Sequence, residues 1–145
     1  MYFVDRKKVE NTLQFIEHLL KEYKELKVDS YQEKLALERL VQLLIESIID
    51  VGNMMIDGFI MRDPGSYEDI IDILEDEKVI PQSESSAYKA VIELRKTLVK
   101  DYLHVNHEEL NEVISTNHAV LNQFTARIRD YLKNELDVAN AFTKE

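Results

Sequence analysis

LVQLLIESIIDVGNMMIDGFIM, residues Leu40 to Met61, is the most apolar stretch of the chain and the one that decides its fold. Together with Leu37, the positions Leu40, Leu44, Ile48, Val51 and Met55 recur at spacings of three and four, the period of one buried helical stripe. Leu43, Ile45, Ile49 and Met54 widen that stripe, so the pattern predicts a central helix that touches neighbours on more than one side. Glu46, Asp50 and Asp57 interrupt the run with too much charge for a lipid-facing span, and no membrane insertion is expected. Asp29-Ser30 offers an N-cap, which gives a helix from about Tyr31 to about Met61.

Upstream, Asp5 can cap a first helix that buries Val9, Leu13, Ile16, Leu20 and Tyr23 and ends near Lys27. Downstream, Arg62-Asp-Pro-Gly-Ser66 stops the central helix, because Pro64 removes a donor and restrains Asp63 while Gly65 permits a tight turn. A short helix with Ile70, Ile71 and Leu74 follows and ends before Val79-Ile80-Pro81. Ser83 to Ser86 supply cap candidates for a fourth helix carrying Tyr88, Val91, Ile92, Leu94, Leu98 and Val99. Asn106, with Glu109 three residues on, has capping-box character and opens a fifth helix through Val113, Ile114, Val120, Leu121, Phe124, Ile128, Tyr131 and Leu132, with a frayed tail after about Leu136. Short connections make sequential helices antiparallel neighbours. The expected fold is all-α, one domain over residues 1–145, an up-and-down bundle of four main helices plus a short extra helix.

Composition agrees with that reading. The 145 residues are 45% hydrophobic, enough to bury one continuous core, and contain only 3 Gly and 2 Pro, a scarcity that disfavours turn-rich β folds. With no cysteine there is no disulfide, thiolate metal site or thiol nucleophile. The start, Met-Tyr-Phe-Val-Asp-Arg-Lys-Lys, has the wrong order of charge and apolar residues for a signal peptide, and a cytoplasmic location is expected. A net charge of -10 excludes a broad basic face for nucleic acid but leaves room for a local site.

Glu46, Asp50, Asn53 and Asp57 fall at spacings of four, three and four, a polar line on an otherwise apolar helix. They are either a solvated seam of the bundle or groups that orient a buried cation. Without a Glu-x-x-His motif beside them they do not make a bundle metal centre, and no metal or cofactor is expected. Asp72, Glu75, Asp76 and Glu77 read as a solvated helix end. His18, His107 and His118 read as solvated or edge histidines.

Three segments carry a more specific signal. Leu40-Val-Gln-Leu-Leu-Ile-Glu46-Ser-Ile-Ile-Asp50 presents a Gln, Ile-Glu, Asp pattern; Pro64-Gly-Ser-Tyr67 is followed by Ile70-Ile71 and Leu74; and Arg95-Lys-Thr-Leu98-Val99-Lys100-Asp-Tyr102 falls in the frame Arg-Asn-x-Leu-Val-His-x-Tyr. In this order they resemble the HepT-like branch of the HEPN family of ribonuclease toxins. The resemblance implies a homodimer in which the motif Arg and His of two protomers meet near the interface and cleave RNA without metal. It also implies a nucleotidyltransferase antitoxin of the MntA type that modifies the motif tyrosine with AMP. Arg95 and Tyr102 stand at their motif positions, so Tyr102 is the modification candidate and Glu46 and Asp50 are expected to support Arg95. Two positions depart from the pattern, with Lys96 in place of Asn and Lys100 in place of His.

The second departure touches the chemistry. Metal-independent RNA cleavage needs a base for the 2'-hydroxyl proton, and histidine, at about 6.5, titrates near neutrality. An unperturbed lysine, at about 10.4, stays protonated and supplies charge rather than a base. If the fourth helix runs on past Lys100, His104 lies one turn further with its ring on the same face, a candidate substitute. The same unbroken helix would put Tyr102, seven residues from Arg95, on the Arg95 face. These residues point to an RNA nuclease of toxin–antitoxin type with impaired or lost catalysis, or to a non-catalytic dimeric HEPN module.

Overall fold

Helix starts are set by short polar side chains that accept from orphan N–H groups. In the computed structural model, which describes the backbone of residues 4–143 and the side chains up to residue 135, Asp5 accepts from the Lys8 N–H at 3.0 Å and opens α1, Arg6–Glu25. Ser30 and Glu33 form a reciprocal capping box that opens α2, Tyr31–Gly58. Ser66 caps α3, Tyr67–Asp76. Then come α4, Gln82–Glu93, α5, Arg95–Val99, a 3-10 turn at Tyr102–His104, and α6, His107–Thr143, where the Asn106 side chain accepts from Glu109 N–H at 3.1 Å.

Cross-helix contacts run in opposite chain directions. Arg129 of α6 holds both Glu10 and Glu17 of α1, at 2.9 and 2.8 Å, and Tyr23 at the other end of α1 donates to Asn111 at 2.6 Å. Glu84 of α4 meets Arg127 of α6, and Tyr88 packs edge-on against Phe124 with centroids 5.3 Å apart. The four long helices α1, α2, α4 and α6 thus alternate in direction, with α3 packed on α2 and α4. α2 is central: it contacts α1, α3, α5 and α6, and Leu37, Val41, Leu44, Ile45, Ile48 and Met55 are wholly enclosed. Gly52 is where α3 comes closest, since a Cβ there would collide with the Ile70 side chain.

The structure differs from the sequence expectation in three places. First, α2 stops at Gly58, before the proline segment, because Ile60 takes a left-handed conformation at φ 56° and the Met61 N–H turns back to the Ile56 carbonyl at 2.9 Å. Second, no serine caps α4. Pro81 occupies the cap position, and Ser85 turns inward to donate to Glu75 at 2.6 Å beside the buried Glu84. Third, the expected fourth helix is broken. The Leu94 N–H bonds three residues back to Val91, α5 ends at Val99, and the N–H groups of Lys100 and Asp101 both converge on the Lys96 carbonyl. The helical backbone of α6 is described to Thr143, and the tail expected to fray after about Leu136 has its side chains outside the described residues.

Among the described residues no helix is long and apolar enough to cross a membrane.

Candidate functional site

Arg95 is the first residue of α5, and α5 rests on α2. Its Nε donates to Glu46 Oε1 at 2.7 Å, and its guanidinium carbon lies 4.6 Å from the centroid of the Tyr67 ring. Tyr67 opens α3, so the loop before it sets where the ring stands. That loop is cross-braced: Arg62 grips Asp69 with two hydrogen bonds of 2.7 and 2.8 Å, and the Gly65 N–H donates to the same carboxylate at 2.9 Å. These donors, Arg62 first, hold the Asp69 carboxyl down at about 2. The sequence motif Pro64-Gly-Ser-Tyr67 therefore has a mechanical meaning: it delivers an aromatic face to Arg95.

The Arg95 and Glu46 side chains are 26% and 39% exposed, so the pair is neither dry nor heavily desolvated. An ion pair of this kind contributes about 0–1 kcal/mol, and cation–π contact at such exposure about 0.5–1 kcal/mol. Neither effect matters much for folding, but together they fix orientation. The hydrogen bond to Glu46 also raises the Arg95 pKa, keeping it charged. With Nε used and one face covered, the two Nη nitrogens have no acceptor among the described residues and form an open fork, the geometry that receives a phosphate or carboxylate in bidentate fashion.

The other expected site residues are less closely gathered. Asp50 is exposed and lines the groove between α1 and α2; it is not a partner of Arg95. Glu46 alone of the two acids supports the arginine. Asp57 is exposed and Asn53 borders the Pro64–Tyr67 loop, so the polar line is a solvated edge with one working member. Among the described residues no cluster of His, Asp and Glu has metal-holding geometry.

Lys96 and Lys100 are exposed and form no ion pair among the described residues. The break after Val99 removes the basis for two expectations: His104 does not follow Lys100 on a continuing helix, and Tyr102 is not two α-turns from Arg95 but lies on the 3-10 turn. His104 is exposed, as is Tyr102 at 62%.

Two histidines read as edge residues prove to be fastened. His107 Nε2 lies 2.7 Å from Glu38, and His118 sits 3.2 Å from the Leu20 carbonyl with its ring stacked on Tyr23. The acidic cluster is also engaged rather than simply solvated, with Asp72 paired to Lys89, Asp76 near Arg62 and Glu75 accepting from Ser85. Tyr67 is the site residue that sequence reasoning missed. It stands in the Pro64-Gly-Ser-Tyr67 motif, but nothing in its spacing says which cation it meets.

The ribonuclease HepT-like family model matches residues 9–128. The chain is 51% identical over 144 residues to YutE of Bacillus subtilis (strain 168), a protein named as a candidate RNase, covering 98% of this chain and 99% of that one. The solved structure of Bacillus subtilis YutE, described as a cytosolic protein of unknown function, superposes with a TM-score of 0.90 at 52% identity, covering 94% of this chain and 96% of that one. A tri-AMPylated HEPN toxin of Shewanella oneidensis, in complex with its MNT antitoxin, shares the fold at a TM-score of 0.76 and 21% identity, covering 84% of this chain and 96% of that one.

Proposed function

The chain belongs to the ribonuclease HepT-like family, and on that premise we propose that it is a homodimeric RNA-directed protein of toxin–antitoxin type that keeps the phosphate-holding half of the nuclease site and has impaired or lost cleavage. The observation that carries this reading is the open fork of Arg95, held by Glu46 and backed by Tyr67. A group held in that way attracts a phosphodiester and stabilises charge developing on it. The proton-transfer half has no counterpart at position 100, where Lys100 stands exposed. General-base catalysis contributes about a hundred- to ten-thousand-fold, so binding with little turnover is the expected remnant.

Dimer formation is supported by the segment that follows Arg95. Val99, Tyr102 and Leu103 are exposed together, Leu103 at 81%, an apolar group that a second copy of the chain would cover. Tyr102 also fits the role of AMP acceptor for an MntA-like nucleotidyltransferase antitoxin. Its phenol oxygen would attack the α-phosphorus of ATP and pyrophosphate would leave.

The deciding experiment is cleavage of labelled single-stranded RNA by wild type, Arg95→Ala, Lys100→Ala, His104→Ala, Lys100→His and the double variant Lys96→Asn/Lys100→His. Wild type should cleave no faster than Arg95→Ala. Robust wild-type cleavage that vanishes in both Arg95→Ala and Lys100→Ala would overturn the impaired-catalysis reading, and loss in His104→Ala instead would place the base at His104. Solution scattering at micromolar concentration should return twice the mass of one chain; a single-chain mass would remove the dimer. The second reading, a non-catalytic dimeric HEPN module, is favoured over the nuclease by the exposed Lys100, and it gains if RNA binding is also absent.

A further inference from the structure

A groove of about 590 Å3 runs between α1 and α2, with Lys7, Lys8, Asn11 and Phe15 on one wall and Glu46 and Asp50 on the other. Phe15 lies next to the buried stripe of α1, beside Ile16, yet its ring faces the groove and remains 40% exposed. A lone exposed aromatic means little by itself, so its neighbours decide. The opposite wall is Glu46, whose carboxylate holds Arg95 Nε at 2.7 Å, so the groove and the arginine fork meet at one shared side chain.

Charge sorts the groove into two sides. Lys7 and Lys8 form no ion pair among the described residues, and Asp5 beside them is occupied in capping α1 through the Lys8 N–H. Glu46 is engaged by Arg95, which leaves the exposed Asp50 as the acid that repels phosphate from the α2 wall. A nucleic-acid backbone entering the groove is therefore directed to the α1 side, and its base toward Phe15 and Asp50. We infer that this groove is a subsite for the nucleotide next to the phosphate held by Arg95 in single-stranded RNA. Phe15 stacks on the base, Lys7 and Lys8 neutralise the following phosphate, and Asp50 accepts from a base N–H. An aromatic platform beside a cationic track is the means by which single strands are held with little sequence preference.

The inference rests on the RNA reading of the arginine fork, and its test separates the two. Fluorescence anisotropy would measure binding of a labelled RNA of about eight nucleotides and a series in which each position in turn is made abasic, on wild type, Phe15→Ala, Phe15→Leu, Lys7→Ala/Lys8→Ala and Arg95→Ala, all checked for folding by circular dichroism. In wild type one abasic position should weaken binding about ten-fold, and that penalty should vanish in Phe15→Ala and Phe15→Leu. The double lysine variant should flatten the slope of log affinity against log salt by about 0.7 for each phosphate no longer neutralised. If Arg95→Ala weakens binding but the abasic profile is the same in wild type and Phe15→Ala, the subsite is wrong and the fork stands. If wild type binds no RNA, or Arg95→Ala binds as wild type does, the RNA reading fails and the subsite fails with it.

Discussion

Replacing Arg95 by lysine keeps the charge and removes the fork. In the native site Nε is committed to Glu46 at 2.7 Å, and both Nη nitrogens are without an acceptor among the described residues, free for the phosphate that the proposed function places there. A lysine offers one ammonium, which cannot satisfy Glu46 and hold two phosphate oxygens in the same plane. Hydrogen bonds to charged groups contribute about 1.5–3 kcal/mol, and the partial exposure of the pair, 26% and 39%, favours the lower end. Losing one such bond predicts about 1.5 kcal/mol, or roughly a ten-fold rise in Kd, for Arg95→Lys; losing both predicts roughly a hundred-fold rise for Arg95→Ala. The salt titration distinguishes geometry from charge. Arg95→Lys should keep the wild-type slope, whereas Arg95→Ala should lose about 0.7 from it. Melting temperature should move little in Arg95→Lys, because Glu46 can hydrate once its partner is gone. A lysine variant that binds RNA within two-fold of wild type would refute the fork and reduce Arg95 to a point charge.

Further perturbations test the frame around the site. Glu84→Ala removes a buried carboxylate that accepts from Tyr88 at 2.8 Å and from Arg127 at 2.7 Å; since Arg127 is partly exposed and can hydrate, the destabilisation should be about 2–3 kcal/mol, below the usual cost of breaking a fully buried pair. Calorimetry should record that as a fall in Tm of roughly 5–10 °C. Asp69, lowered from 3.8 to about 2 by Arg62 and the Gly65 N–H, contributes stability that is fully present above about 3.8 and is lost as pH falls through about 2. Urea melts at stepped pH should therefore show a steeper decline over that window in wild type than in Asp69→Asn, and identical declines would contradict the assignment. Lys78 holds φ 60° with an exposed side chain, so Lys78→Gly should relieve about 1–2 kcal/mol of left-handed strain while adding back about 0.5–1 kcal/mol of unfolded-chain entropy, a net gain that thermal melts should detect. At Ile60, where the substitution would also strip away an apolar side chain, the gain should be smaller.

Most of the architecture could be read from spacing. Leu37 through Met55 gave the central helix its position, and Asp5, Ser30 and Asn106 gave three helix starts, because periodicity and capping are local and depend on a few neighbouring residues. The break at Leu94 was not legible, since neither proline nor glycine marks it, and the chain on both sides keeps a helical pattern. The inward turn of Glu84 and Ser85 was hidden for a related reason: a serine-rich start looks like a cap until Arg127, forty-three residues away, claims the glutamate. At the site, the link from Glu46 to Arg95 was available only through the family resemblance. The Tyr67 platform and the Phe15 groove depend on which helices become neighbours, information that no local spacing contains.

The short α5 segment is fastened to α2 at Arg95 through Glu46, and the start of α6 is fastened to the same helix at His107 through Glu38. Lys96 and Lys100 project from this stretch into water, and exchange of exposed side chains there should change folding free energy by less than about 0.5 kcal/mol. The position that decides whether the motif contains a proton acceptor is thus nearly invisible to the forces that keep the bundle folded. Selection for a stable fold cannot hold a histidine at that position, and under the proposed function a preference for either residue there would have to act through the site. Substitutions at Lys96 and Lys100 can therefore accumulate in either order with no detour through an unstable intermediate, so drift at these two positions is free of the constraint that the fold places on Arg95 and Glu46.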